Sequence, residues 1–107
     1  MTAKEFSALL EFAEGAAHAD MFRVTPAEFN VGVEVTNEYV ARFAPGMDMM
    51  LFNRVVGLGL RAPAKQDVVA SLVKRYRETG VKNFAVQITP EAEPVELTEW
   101  LAQEGLT

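Results

Sequence analysis

The sequence predicts an α+β domain, a mainly antiparallel, twisted sheet with helices on both faces in the order α-β-β-β-α-β-α. Two periodicities support this fold class. Apolar residues recur at helical spacing in three segments, namely 3–18, 63–79 and 94–104. Apolar runs typical of strands occupy four more, namely 29–36, 38–44, 48–57 and 82–89. The 107 residues, 50% of them hydrophobic, suffice for one core, so we expect a single α/β/α-like layered domain over 1–107.

The first helix has a recognisable start. Thr2 and Glu5 have the spacing of a capping box, in which each side chain bonds a backbone N–H that the helix leaves unpaired. One apolar face follows and consists of Phe6, Leu9, Leu10, Ala13 and Ala17. We expect the helix to end near His18, whose side chain would bond the last carbonyl groups.

Three strands are predicted next. Residues 29–36 alternate apolar with polar, as a strand buried on one face does. A second run, 38–44, ends at Pro45 and Gly46, which are typical of a tight turn. The third run, 48–57, is mostly apolar on both faces, so we expect it to lie in the centre of the sheet.

Prolines and glycines mark the remaining elements. Pro63 suits the first position of a helix, where its missing N–H costs nothing, and Gly80 suits the position after the end. The buried stripe of this helix is predicted to be Val68, Val69, Leu72, Val73 and Tyr76. Residues 82–89 alternate as a strand, and a final helix is expected to begin at Pro94 and to stop at Gly105.

Composition argues against several functional classes. The net charge is −5, from 15 acidic and 10 basic residues, and no Lys/Arg cluster forms a basic face, so nucleic acid is not an expected partner. The chain has no Cys and one His, so we predict no disulfide, no thiolate nucleophile and no metal site. The first residues lack a signal-peptide pattern and no apolar run is long enough to span a membrane; we expect a cytoplasmic protein that does not bind membranes.

A short motif carries the strongest functional signal. The apolar run 48–57 leads into Arg54-Val55-Val56-Gly57-Leu58-Gly59, and a helical pattern follows. Glycines let backbone N–H groups converge on an anion, and the positive end of a following helix adds to the attraction. The motif therefore predicts a phosphate-binding loop. The alternative interpretation is a tight exit from the strand, with Arg54 paired to a surface carboxylate.

This loop and the elements after it resemble the central core of the GCN5-related N-acetyltransferase (GNAT) superfamily. The resemblance covers residues 49–107 and implies acetyl transfer from acetyl-CoA to an amine. The acetyl-CoA contacts that it implies are Arg54, Gly57, Leu58 and Gly59. More narrowly, residues 53–63 are similar to the N-terminal, degenerate GNAT-like half of longer bacterial GNAT-family proteins.

Departures from the family pattern bear on activity. Residues 60–62 separate the loop from Pro63, and residues 89–91 stand where an Asn is usual. Trp100 and Leu101 occupy the region of the usual general-acid Tyr. The final strands of that fold have no counterpart in the sequence. The resemblance thus implies a partial unit that is inactive alone and would be completed by a second GNAT domain or a second copy, and no catalytic residue is assigned.

Other functions remain open. The chain could be a non-catalytic dimerisation or protein-interaction module, or a small-molecule sensor that uses the strand cleft without chemistry. Glu34 and Asp48 are interpreted as a general base or as solvent-facing carboxylates. Asn53 is interpreted as a tie between strands or loops, or as a ligand contact. A further set of large apolar side chains is expected to line a groove, to join the core or to form a protein interface. This set consists of Met47, Met49, Met50 and Phe52.

The last predicted strand bears on assembly. In the complete GNAT fold a further strand would cover residues 84–88, so we expect unpaired N–H and C=O groups along this edge. Open edges in water are seldom left without charges, a bulge or a partner. We therefore predict a homodimer or a complex with another domain that buries this edge or the adjoining 47–52 surface.

Overall fold

A computed structural model describes residues 1–24 and 31–106 of the chain. Within them, three helices and four strands follow the predicted order α-β-β-β-α-β-α. The helices are α1 (Ala3–Arg23), α2 (Gln66–Glu78) and α3 (Leu97–Gln103). The strands are β1 (Gly32–Val35), β2 (Val40–Phe43), β3 (Arg54–Val56) and β4 (Ala85–Val86). The predicted α+β class is confirmed.

The sheet is mixed and has the order β1-β2-β3-β4. β1 pairs with β2, and β2 with β3, in antiparallel fashion, whereas β3 and β4 run parallel. The predicted central position of the third strand is thereby confirmed, since β3 has a neighbour on each side. A parallel pair needs a crossover connection, and α2 lies in the one between β3 and β4.

Helices cover both faces of the sheet. On one face, α1 packs its Phe12 ring against Val40 of β2. The larger core lies on the opposite face, where β2 and β3 meet α2 and α3. Tyr76 of α2 stacks there between Phe43 and Phe84, with ring centroids 4.3 Å and 4.9 Å away. This arrangement leaves β4 at one edge of the sheet, beside α3.

α1 starts as predicted and ends later. The N–H of Glu5 donates to the Thr2 hydroxyl at 3.1 Å, which confirms the helix cap. The expected end at His18 is wrong, because Ala19 and Phe22 extend the face that packs on the sheet. Nδ1 of His18 lies 3.0 Å from a carbonyl oxygen one turn earlier, so this side chain bonds within the helix and not at its end.

The predicted strand 48–57 is mostly wrong. Only Arg54–Val56 is a strand, and residues 47–53 form turns and irregular backbone. Met49, Met50 and Leu51 are therefore exposed, by 54%, 53% and 47%. The cause is the Asn53 side chain, which takes up the backbone groups that a strand would pair with its neighbour.

Two other strands are shorter than predicted. β1 covers Gly32–Val35 of the predicted 29–36, of which residues 29–30 lie outside the described part of the chain. β4 keeps only Ala85–Val86 of the predicted 82–89. Residues 82 and 83 before β4 form a bend, and residues 87–89 after it form irregular backbone.

The last two helices begin later than predicted. α2 starts at Gln66 and not at Pro63, because the N–H of Ala64 donates to the Glu93 carbonyl at 2.8 Å and ties this segment to the loop before α3. α3 starts at Leu97 and not at residue 94. The glycines predicted to follow the two helices do so with φ of +83° and +86°, as a left-handed helix end requires.

Candidate functional site

The predicted phosphate-binding loop leaves β3 through two glycines in the left-handed region. φ is +85° at Gly57 and +80° at Gly59, values that glycine adopts without strain. Both glycines are buried, as is Leu58 between them. A Cβ on Gly57 would lie 2.6 Å from the Phe12 ring, and one on Gly59 would lie 2.6 Å from the Glu93 carbonyl oxygen. The loop is thus packed between α1 and the segment before α3.

Backbone groups of this loop already have partners within the chain. The N–H of Gly57 donates to Oε1 of Glu11 at 2.7 Å. The carbonyl of Gly59 accepts from the N–H of Glu93 at 2.8 Å. Residues 60–65 separate Gly59 from the start of α2, so the helix N-terminus does not follow the loop directly.

This geometry bears on the cofactor contacts that the resemblance implies. A pyrophosphate needs backbone N–H groups that are free and converge on it. The Gly57 N–H is taken by a carboxylate, and both glycines are shielded by neighbouring segments. The residues as they are arranged do not present an open anion cradle for the pyrophosphate of acetyl-CoA. Its binding stays a prediction for Arg54, Gly57, Leu58 and Gly59.

Glu11 is a buried carboxylate that sequence reasoning missed. The residue is 4% exposed, and its Oε2 has no hydrogen-bond partner. Burial raises the pKa of the Glu11 carboxyl, and the hydrogen bond from Gly57 offsets part of this effect. Helical spacing could have indicated its burial, since Glu11 shares a helix face with Gly15 and Phe22, which pack on the sheet.

We expect Glu11→Gln to stabilise the domain at neutral pH and to change little in acid. Because the folded pKa is raised above 4.5, the stabilisation due to a protonated Glu11 is present below the unfolded pKa and lost as the pH rises through the folded pKa. Gln keeps an oxygen for the Gly57 N–H and carries no charge. Urea denaturation of the wild type and the variant from acidic to neutral pH measures the difference in their free energies of unfolding. A difference that does not change with pH would contradict a raised pKa of the Glu11 carboxyl.

Two arginines lie side by side on the α1 face of the sheet. The register of β2 and β3 places Arg42 opposite Arg54. Arg42 is 0% exposed, none of its guanidinium nitrogens has a hydrogen-bond partner, and Oε1 of Glu14 is 3.9 Å from its Nη2. Burial lowers the pKa of the Arg42 guanidinium. Arg54 donates to the side-chain oxygen of Gln87 at 3.2 Å. The partner is therefore an amide, whereas the alternative interpretation of the motif expected a surface carboxylate.

Asn53 has the first of its two predicted roles. The residue is fully buried, and its Oδ1 accepts from the N–H of Ala44 at 2.7 Å. Its Nδ2 donates to the carbonyls of Met47 and Met49 at 2.9 Å and 3.0 Å, and to that of Ala44 at 3.3 Å. The side chain thus ties the end of β2 to the turns before β3. The predicted hydrogen-bonded tie is confirmed.

Glu34 is one of the two candidate general bases. Its side chain is half-buried, whereas a solvent-facing position was expected. The Tyr39 hydroxyl donates to its Oε1, and Nη1 of Arg75 lies 2.6 Å from its Oε2. These two partners hold the pKa of Glu34 below its ordinary value. Burial, together with the bond to Glu34, raises the pKa of Tyr39 to about 12. Glu34 therefore joins β1 to α2 as an ion-paired carboxylate.

Asp48, the other candidate, is exposed as expected. It accepts from the backbone N–H groups of Asn83 and Lys82 at 2.8 Å and 3.1 Å. These two hydrogen bonds hold the pKa of Asp48 below its ordinary value, and the bond from Asn83 has the larger effect. Asp48 therefore ties the 47–53 turns to the chain that enters β4.

β4 presents the free edge that the sequence predicted. The N–H groups of Ala85 and Gln87 donate to β3, so those of Phe84, Val86 and Ile88 point away from the sheet. Within residues 1–24 and 31–106, these three N–H groups form no backbone hydrogen bond, and neither do the carbonyl groups of the same three residues. The edge can therefore accept another strand.

An apolar groove of about 600 Å³ runs along this edge, between β4 and α3. Its main lining side chains are Phe84, Val86, Ile88, Leu101 and Leu106. Met50 also lines the groove, which is one of the three places expected for the 47–52 side chains. Phe52 instead packs against Phe22 of α1, with ring centroids 6.4 Å apart.

In the described residues, no three His, Asp or Glu side chains lie together as metal ligands would. None of the described helices combines the length and hydrophobicity needed to cross a membrane. No protein-family model, curated protein or solved structure matches this chain. The features that bear on function are therefore the occupied glycine loop, the buried charges and the β4 edge.

Proposed function

We propose that this domain is a non-catalytic protein-interaction module that accepts an extended strand of a partner protein along β4. The observation that carries the proposal is the unpaired edge of β4 beside an apolar groove. A strand added to a sheet edge gains affinity from main-chain hydrogen bonds and specificity from pockets for alternate side chains. Both kinds of contact are available here.

The groove determines which side chains of a partner strand are held. Phe84, Val86 and Ile88 turn their side chains to the face that carries α2 and α3, where Leu101 and Leu106 form the opposite wall. Every second residue of an added strand would enter this space. We therefore expect apolar residues at alternate positions of the partner strand.

The charge around the groove favours a basic partner. α3 contains Glu99 and no Lys or Arg, and Glu99 is exposed beside Thr98, which lines the groove. Glu96 is exposed before the helix, and the chain as a whole carries a charge of −5. Complementary charge speeds association and suppresses wrong partners. Because successive side chains of a strand point to opposite faces, the basic residues of such a partner would lie on the other face of the sheet, and the attraction comes from the overall negative charge of the chain and not from contact with Glu99. The partner strand that fits alternates apolar residues with Lys or Arg.

Two proline variants test this function, because alternate N–H groups of β4 point in opposite directions. Val86→Pro removes an N–H that faces outward, so the domain should stay folded and lose binding of a synthetic peptide of alternating Val and Lys. Ala85→Pro removes the N–H that donates to Asn53 at 3.0 Å and should destabilise the domain by about 3 kcal/mol. Fluorescence anisotropy of the labelled peptide and thermal melts measure both effects.

A peptide of alternating Val and Glu is the matched control, and we expect it to bind more weakly. Added salt should weaken binding of the Val and Lys peptide, because exposed charges are screened. Equal binding of both peptides would exclude the basic partner. Unchanged binding by folded Val86→Pro would exclude the β4 edge as the site.

A second candidate is acetyl-CoA binding by a degenerate GNAT-like unit. The parallel pairing of β3 with β4, and a loop with two left-handed glycines directly after β3, favour it. The Glu11 carboxylate on the Gly57 N–H weighs against it. Titration with acetyl-CoA separates the two candidates, since a bound ligand raises the melting temperature as its concentration passes Kd. A saturable rise in the melting temperature would favour acetyl-CoA, whereas a strand-binding module should not respond.

A further inference from the structure

The outer face of α1 is apolar and largely exposed within the described residues. Three large side chains, Phe6, Leu9 and Leu10, are exposed by 53%, 56% and 54%. The next exposed residues along this face are small, namely Ala13, Ala16 and Ala17. The inner face of the same helix already packs on the sheet. A helix that is apolar on both faces is expected to be covered on both.

The order of large and small residues points to what covers this face. The large side chains lie in the N-terminal half of α1 and the small ones in the C-terminal half. We propose that α1 packs antiparallel against α1 of a second copy of this chain. In that orientation each bulky half meets a small-residue half, and facing helices interdigitate. A parallel pair would place Phe6 on Phe6 and leave the alanines apart.

The spacing gives a definite register. Phe6, Leu10, Ala13 and Ala17 are separated by four, three and four residues, which keeps them on one stripe of the helix. An antiparallel pair with its two-fold axis between Leu10 and Ala13 sets Leu10 against the partner's Ala13. The same axis sets Phe6 against the partner's Ala17. α1 has 21 residues and is about 31 Å long, so both contacts and their symmetry mates fit along it.

Charge at the ends of the helix favours the same orientation. Glu5 and Arg23 are exposed and eighteen residues apart, which is about five helical turns, so they lie on the same side of α1. In the register given above, Glu5 lies level with the partner's His18 and five residues, or about 7.5 Å along the helix axis, from the partner's Arg23, which forms an ion pair with Asp20. A parallel pair would bring like charges together. Antiparallel helix dipoles add to the preference.

This interface is separate from the β4 groove. α1 covers one face of the sheet, whereas the groove lies beside α3 on the other. One copy can therefore pair through α1 and still bind a partner strand. Variants of the two surfaces should affect two different measurements.

Molar mass of the full chain in solution tests the pairing. We expect a concentration-dependent dimer by sedimentation equilibrium. Ala13→Glu should raise the dimer Kd by about a hundredfold or more, because it places two like charges in the buried centre of the interface. Ser71→Glu is the matched control, an added charge at an exposed position of α2, and should leave Kd unchanged. Far-UV circular dichroism checks that both variants fold.

Single cysteines test the orientation, since the chain has no Cys of its own. Leu10→Cys mixed with Ala13→Cys should form a disulfide-linked pair under mild oxidation, and so should Phe6→Cys mixed with Ala17→Cys. Ala17→Cys alone should not cross-link, because its two copies lie far apart along an antiparallel pair.

Each opposite result would overturn the proposal. A wild-type chain that is monomeric at all concentrations excludes the dimer. A dimer that survives Ala13→Glu but is lost in Val86→Pro places self-association at the β4 edge. Cross-linking of Ala17→Cys alone that exceeds the mixed pairs excludes the antiparallel orientation.

Discussion

Gly59→Ala is expected to unfold the domain or to lower its melting temperature by tens of degrees. A Cβ at this position would lie 2.6 Å from the carbonyl oxygen and 2.9 Å from the nitrogen of Glu93, both backbone atoms. Neither can turn aside as a side chain would, so the Gly59–Glu93 hydrogen bond must break. Left-handed strain adds about 1–2 kcal/mol and overpacking about 1–3 kcal/mol. A total near 4 kcal/mol is a large part of the 5–15 kcal/mol that stabilises a typical domain.

Gly80→Ala is the matched control for this substitution. Gly80 has φ of +83°, close to the +80° of Gly59, but a Cβ there meets nothing within 4 Å. The control therefore carries the left-handed strain alone, about 1–2 kcal/mol. In a domain of this size 1 kcal/mol shifts the melting temperature by roughly 4–8 °C. Equal shifts for the two variants, measured by calorimetry, would show that the contact with Glu93 does not constrain the loop.

Local sequence signals predicted three of the six helix ends, namely the start of α1 and the ends of α2 and α3. The Thr2–Glu5 cap and the glycines after α2 and α3 act through atoms a few residues away, so their effect can be inferred from the sequence. The start of α2 differed because a distant group decides it. The Ala64 N–H is held by the Glu93 carbonyl, far along the chain, and this bond keeps residues 63–65 out of the helix. Proline chemistry alone could not reveal that partner.

The predicted strand 48–57 failed because one polar side chain outweighs an apolar run. Hydrophobicity treats Met49 to Val56 as continuous strand, yet Asn53 binds carbonyl groups from the turn and so replaces strand pairing. The sequence did indicate that a buried Asn must find partners. It could not indicate that those partners are backbone groups at the end of β2 and in the turns before β3.

The glycine loop shows the same limit at the candidate site. Its two glycines are where the motif requires them, and their backbone angles are those of a tight, unusual path. What fills the loop is Glu11, on a helix 46 residues away in sequence. Arg42 was missed for a related reason, because its alternation with Ala41 and Phe43 is typical of an ordinary polar position, whereas Arg42 is completely buried beside Glu14 of α1. Both charges acquire their role only from packing.

Asn53→Asp is expected to destabilise the domain strongly, because it replaces a hydrogen-bonded NH2 group by a carboxylate oxygen in a buried site. Asp keeps the oxygen that accepts from Ala44 but loses the donor, so a carboxylate would face the carbonyls of Met47 and Met49 in a fully buried site. An uncompensated buried charge costs about 3–5 kcal/mol. The new carboxyl should bind a proton more readily when folded, so its deficit should shrink as the pH falls.

Asn83→Asp tests whether this cost comes from burial or from the chemical change itself. Asn83 is exposed, and its side chain donates to the Asp48 carbonyl at 3.1 Å, so the same replacement meets a carbonyl in water. Exposed charges interact by about 1 kcal/mol or less, and we expect a loss within that limit. Urea denaturation of both variants at neutral and acidic pH measures the contrast. If Asn53→Asp were no more costly than Asn83→Asp, or if its deficit did not shrink in acid, the Asn53 side chain would not be what holds β2 to the turns before β3.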